Sequence, residues 1–167
     1  MNPDLARVAD DLEIRRVLAR YCRGVDRLIE ETVESCFWPG KDNVVAGGFA
    51  GSPRDWVDFT FGRMRQDLIT SHQLGQSLIE IEGERAETET YFLSRHAYDE
   101  DGDVTVMVVI GRYVDRFEKR AGVWKIAHRT LVFDLRRFDR GALQPKSDEP
   151  WPVGRLADDP SFELSLL

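Results

Sequence analysis

The sequence predicts an α+β domain in which N-terminal helices cover one face of a bent antiparallel sheet, leaving an apolar pocket between the layers. Two observations carry that prediction. Up to about residue 65, apolar residues recur at helical spacing between cap and breaker signals; from His72 onward, long strand-like runs alternate with short hairpin signals. Length adds a third, since 167 residues are enough for one domain with its own core and few for two. The domain is expected over residues 1–140, followed by an extended, proline-bearing tail over 141–167.

Asp4 is suited to cap a first helix, whose apolar positions Leu5, Val8, Leu12, Leu18, Tyr21, Cys22 and Val25 keep helical spacing to about Asp26. A short second helix runs through Val33, Cys36 and Phe37 until Pro39-Gly40 stops it. Residues 43–49 read as a short strand. Ser52-Pro53 then opens a third helix, with a capping hydroxyl and a proline where the first helical N–H has no partner to lose. This helix carries Trp56, Val57, Phe59, Phe61 and Met64. Four strands follow at 76–82, 87–98, 104–120 and 123–138. Gly83-Glu84, the acidic stretch 99–103 with Gly102, and Ala121-Gly122 separate them as hairpin turns, so the four strands form a meander. Strands this long bend, and a bent sheet closed by helices is concave. The facing of residues 86–98 is ambiguous, because both faces mix polar and apolar side chains.

Composition excludes several partners. Hydrophobic residues make up 42% and charged residues 32%, and the net charge of −7 opposes binding to a phosphate backbone. The late basic pair Arg136-Arg137 is diluted by Asp134 and Asp139. No nucleic acid partner is expected, and no membrane partner, because the longest apolar run, 104–110, is short and contains Thr105. The N-terminus Met1-Asn2-Pro3-Asp4 has neither the basic region nor the apolar stretch of a signal peptide. Cys22 and Cys36 lie among apolar neighbours, which fits core thiols in a reduced, cytoplasmic setting.

The residues able to carry chemistry are few. Asp26 lies at the edge of the first helix's apolar stripe and Tyr21 lies on it. His72 stands at a loop-to-strand transition, with Gln76 expected on the same strand face, and Arg129 comes from the last strand. A carboxylate holding one imidazole nitrogen leaves the other as a general base for a proton on carbon next to a carbonyl, or on a hydroxyl. Tyr21 or Gln76 can hydrogen-bond the developing anion, and Arg129 can neutralise it. Each residue also has a plainer reading. His72 can be a structural histidine, Asp26 a solvated helix-end acid, Arg129 half of an ion pair and Tyr21 core. His96 and His128 lack the paired spacing of metal ligands, and neither metal nor cofactor is expected. Gly47-Gly48 with Gly51 is a loop signal without the lysine of a phosphate cradle, no serine sits in a nucleophile elbow, and Trp124 reads as a core anchor.

Several stretches together resemble the SnoaL-like branch of the nuclear transport factor 2-like superfamily. They are Glu13-Ile14 with residues 21–26 (YCRGVD), residues 71–76 (SHQLGQ), residues 111–117 (GRYVDRF) and residues 122–129 (GVWKIAHR). The resemblance implies a cone-shaped curved antiparallel sheet packed by N-terminal helices, the NTF2-like or cystatin-like fold. Within that superfamily the Tyr/Asp/His/Arg set is similar to the sites of scytalone dehydratases, bile acid 7α-dehydratases and hexachlorocyclohexane dehydrochlorinases. It therefore implies a cofactor-free lyase of the dehydratase type acting on a small hydrophobic ring compound, aromatic, steroid or polyketide. Catalysis would rest on His72, Asp26, Tyr21 and Arg129, with Gln76, His96 and Tyr113 binding substrate, and the chain would form a homo-oligomer, dimer or trimer. An isomerase or carbon–carbon lyase with the same dyad, and a non-catalytic ligand-binding or assembly module, are the alternatives, because this fold hosts many functions.

Overall fold

The computed structural model describes residues 3–65, 67, 69–141 and 160–164. Helix α1 (Pro3–Asp26) and the short α2 (Glu30–Ser35) come first, then strands β1 (Val44–Ala46) and β2 (Phe49–Gly51), then helix α3 (Pro53–Met64). Four long strands follow: β3 (Ile69–Glu82), β4 (Arg85–Glu100), β5 (Asp103–Arg120) and β6 (Val123–Arg140). All six strands make one curved, unclosed sheet in the order β2-β1-β6-β5-β4-β3.

The expected meander is present, and its turns are two-residue turns. Asp101-Gly102 and Ala121-Gly122 both hold positive φ at each position, the backbone hand that matches strand twist. Because the turn at 101–102 is so tight, β4 and β5 run longer than the acidic stretch suggested. β3 also starts seven residues before the expected position, at Ile69, so His72 lies inside a strand. The segment read as one strand over 43–49 is a hairpin, folded at Gly47-Gly48. Its first strand, β1, runs parallel to β6, an addition to the otherwise antiparallel sheet.

The two longer helices have local causes. Ser52 and Asp55 form a reciprocal capping box at the start of α3, with Pro53 in the first turn. α1 places Asp4 in its first turn, where the positive end of the helix dipole favours a carboxylate. Its C-terminus closes with Leu28 at φ +53, Ile29 N–H bonded to Gly24 C=O at 2.8 Å and Leu28 N–H to Val25 C=O at 3.2 Å. That Schellman pattern stops the helix directly after Asp26. α1 lies on the concave face and buries Ile14, Val17, Leu18, Tyr21, Cys22 and Val25. Leu5, Val8 and Leu12 belong to the same spacing yet remain 62%, 55% and 52% exposed, so only the second half of the stripe is core. Trp124 is buried and donates to Asp10 at 2.8 Å, anchoring α1 to β6. No helix among the described residues is long and apolar enough to cross a membrane.

Three bulges set the facing of the sheet. In β3, Gly75 and Gln76 together oppose Tyr91, so the buried face passes from Leu74 to Ser77. In β6, the extra residues are Ala127 and Asp134. Of the tail expected to be extended, residues 142–159 and 165–167 lie outside the described residues. Pro160–Glu163 form a 3-10 turn, and Arg23 reaches it through the Ser161 carbonyl at 3.3 Å and the Phe162 ring.

Candidate active site

The concave face encloses a cavity of about 250 Å³ between α1, α3 and the sheet. Its wall is largely apolar, with Val25, Trp56, Phe92, Met107, Val109 and Leu131, and a few polar groups converge on it.

The end of α1 and the early part of β3 bring Asp26 and His72 together. Asp26 Oδ1 lies 2.6 Å from His72 Nδ1, and Asp26 Oδ2 accepts the His72 backbone N–H at 2.9 Å. Both side chains are about nine-tenths buried. A carboxylate that accepts both bonds places the ring proton on Nδ1, which leaves the Nε2 lone pair for the cavity that His72 lines.

β4 supplies a second such pair. His96 Nδ1 is 3.0 Å from Asp67 Oδ2, at matching depth, and its ring stands edge-on to that of His72 with centroids 5.6 Å apart. Asp67 lies between α3 and β3 and was not foreseen, because no spacing signal links that loop to His96.

Tyr21 also lines the cavity. Its oxygen accepts the Trp56 indole N–H at 2.9 Å, so its own proton is free to donate. Burial raises its hydroxyl above the ordinary value, against the Arg129 charge and the Trp56 bond, so it remains an O–H at neutral pH. Tyr113 lines the cavity too, stacked on Phe92 at 4.5 Å, and burial pushes its hydroxyl well up.

Two expected placements are corrected. Arg129 is fully buried and does not line the cavity. Its Nε and Nη2 donate to the two oxygens of Asp115 at 2.8 and 2.6 Å, and its guanidinium lies 4.2 Å from the Tyr21 ring centre and 4.0 Å from that of Tyr113. It is the ion-pair half that the plainer reading of the sequence allowed, seated beneath the two tyrosines. Burial raises Asp115, with Arg129 opposing; burial pulls Arg129 down, but its contacts with Asp115 outweigh that and hold it above the ordinary value. Gln76 is exposed and outside the cavity, because the bulge it belongs to breaks the alternation that would have kept it in phase with His72.

The remaining candidates separate. His128 lines an outer groove with Glu87 and Arg116, on the other side of the sheet from His96. Among the described residues no three His, Cys, Asp or Glu side chains group as metal ligands. Burial pushes the Cys22 thiol to about 12 and the Cys36 thiol to about 11, which keeps both from acting as nucleophiles.

Comparison with known proteins places this architecture. Residues 6–130 match the SnoaL-like domain family, and the chain belongs to it, within the nuclear transport factor 2-like superfamily. Solved structures share the fold at low identity. Hexachlorocyclohexane dehydrochlorinase LinA-type3 from Novosphingobium barchaimii is similar with a TM-score of 0.72 and 19% identity, over 86% of this chain and 99% of that one. A candidate scytalone dehydratase from Novosphingobium aromaticivorans gives 0.69 and 22%, over 78% and 88%. The Kfla4162 protein from Kribbella flavida gives 0.70 and 15%, over 78% and 95%. No match was found among curated protein sequences.

Proposed function

We propose that the chain is a cofactor-independent lyase of the dehydratase type. His72 removes a proton from a small ring-containing substrate, Asp26 fixes its tautomer and stabilises the imidazolium, and Tyr21 donates to the anion that develops. His96, held by Asp67 at Nδ1, enters as the imidazolium and gives its Nε2 proton to the leaving group, so that it ends neutral as His72 takes up the proton from carbon. Arg129 acts through Tyr21 as a positioning residue. The observation that carries the reading is the 2.6 Å Asp26–His72 contact with Nε2 left for an apolar cavity. At about 250 Å³ the cavity lies below the ~300–1,000 Å³ of typical ligand sites, which favours one or two rings over a steroid. The likeness to a dehydrochlorinase and to a candidate scytalone dehydratase agrees with elimination.

The proximity of two histidine–carboxylate pairs also supports an isomerase, in which one imidazole removes a proton and the other returns it. The unpaired buried thiols fit a reducing, cytoplasmic setting. The exposed Tyr91, Ile110, Val114 and Leu135 on the outer face support a homo-oligomer, dimer or trimer.

The test is solvent-deuterium exchange into ring carbonyl compounds, followed by NMR alongside a screen for elimination. Exchange or elimination that falls by roughly 10²–10⁴-fold in His72→Ala and substantially in Asp26→Asn supports the lyase. Exchange with no leaving group lost selects the isomerase. Ligand binding with no exchange overturns both in favour of a binding module.

A further inference from the structure

The wall of the cavity carries positive charge that the proposed proton chemistry does not use. Arg136 lines it from β6 and Arg63 from the last turn of α3. Arg136 reaches the cavity through the bulge at Asp134. Leu131 and Phe133 both line the cavity, and regular alternation from them would put Leu135 inside and Arg136 outside. The extra residue reverses this: Leu135 pairs with Ile110 and is 51% exposed, while Arg136 pairs with the cavity residue Val109. Arg112 pins the bulge, donating to both oxygens of Asp134 at 3.0 Å. The fold thus places an arginine where the strand pattern offers a leucine.

These two cations are available. Arg137, turned the other way, is paired with Asp139 at 2.6 Å, whereas Arg136 has no carboxylate partner among the described residues. Arg63 lies over the Phe59 ring at 3.8 Å and donates one N–H to the Phe59 carbonyl, again without a carboxylate. That stack fixes the guanidinium and leaves other donors unused.

The sheet also sets a distance. His72, Ser94, Val109 and Arg136 are successive cross-strand partners, and all four line the cavity. His72 and Arg136 therefore stand three strand spacings apart, about 14 Å between backbones, and both side chains reach inward from a concave face.

We propose that the cavity binds a carboxylate on its Arg136 side, so that the ligand is a one- or two-ring carboxylic acid whose anion meets Arg136, with Arg63 the second cation of the same wall, while its ring reaches His72. The assignment of the reacting end rests on the lyase reading; the binding of the anion does not.

The experiment is calorimetric titration of the whole chain with 2-naphthoate and 4-phenylbenzoate, each beside its uncharged amide. The wild type is expected to prefer the acids by about fivefold or more, the scale of a partly exposed ion pair. Added salt should erode that preference. Arg136→Gln should reduce it and Arg136→Gln/Arg63→Gln should remove it with amide binding unchanged; both positions are exposed, so the fold is retained. Arg137→Gln, on the outer face, should change nothing, and because binding alone is read, the outcome is independent of the lyase reading. Equal binding of acid and amide, no binding of any acid at millimolar concentration, a preference that survives the double variant, or one lost in Arg137→Gln would each overturn the proposal.

Discussion

Asp26 sits at the C-terminal turn of α1, where the helix dipole disfavours a carboxylate. What holds it there is His72, through one ring bond and one backbone bond. Asp26→Ala removes both, and we expect a loss of about 1–3 kcal/mol, read as a shifted urea midpoint. In the same variant the neutral His72 ring should move its proton from Nδ1 to Nε2, which ¹⁵N NMR of the imidazole resolves; an unchanged tautomer would separate Asp26 from any orienting role. The buried pair below the tyrosines behaves differently. Asp115→Ala leaves Arg129 charged and unmatched, at an expected cost of about 3–5 kcal/mol, whereas Asp115→Leu/Arg129→Met should recover much of the stability in the same urea measurement. The sequence made Asp26, His72 and Tyr21 legible because each stands in a short motif with a resemblance behind it. Asp67 and the Trp56–Tyr21 bond were not legible, since contacts between a loop and a distant strand, or between two helices, leave no periodicity to read.

At the scale of elements, α1 is tied to the sheet by Asp10, whose Oδ1 accepts from Lys119 at 2.7 Å and Trp124 at 2.8 Å. Burial pushes its carboxyl up, but those two bonds outweigh it, and the net value lies below the ordinary one. A depressed carboxyl contributes stability that is present above its unfolded value, about 3.9, and is lost as pH falls through the folded one. Urea midpoints of the wild type should therefore fall more steeply than those of Asp10→Asn between about pH 5 and pH 3. In β5, a Cβ at Gly111 would run into the Val132 carbonyl and lie 2.8 Å from the Phe92 ring. Gly111→Ala should cost about 1–3 kcal/mol in thermal unfolding and push Phe92 toward the cavity, weakening ligand binding. Helix starts and hairpin turns were readable because their chemistry is local, as at Ser52-Pro53 and Ala121-Gly122. Bulges were not: Gln76 and Arg136 each follow an extra residue that only the partner strand's register reveals.

The whole molecule divides its two sheet faces between separate tasks. The concave face holds the core, the cavity and the buried ion pair, and the outer face exposes Tyr91, Ile110, Val114 and Leu135. If copies associate through that outer face, Ile110→Glu with Leu135→Glu should shift sedimentation toward the monomer and leave ligand binding in the cavity intact. The general α+β layout was legible from the change in periodicity near His72, whereas the parallel β1–β6 contact was not, because three-residue strands carry too little pattern. The kink at Gly75-Gln76 has a further effect at this scale. β3 is the outermost strand of the sheet and fourteen residues long, and one side of it has no strand partner among the described residues. A straight run of that length is a template for a foreign strand, and fibrils grow from such templates. Broken midway, it offers two short stretches out of step with each other. The residue that turns Gln76 away from the pocket also keeps the rim of the sheet from recruiting its neighbours, and deleting it should appear as concentration-dependent light scattering.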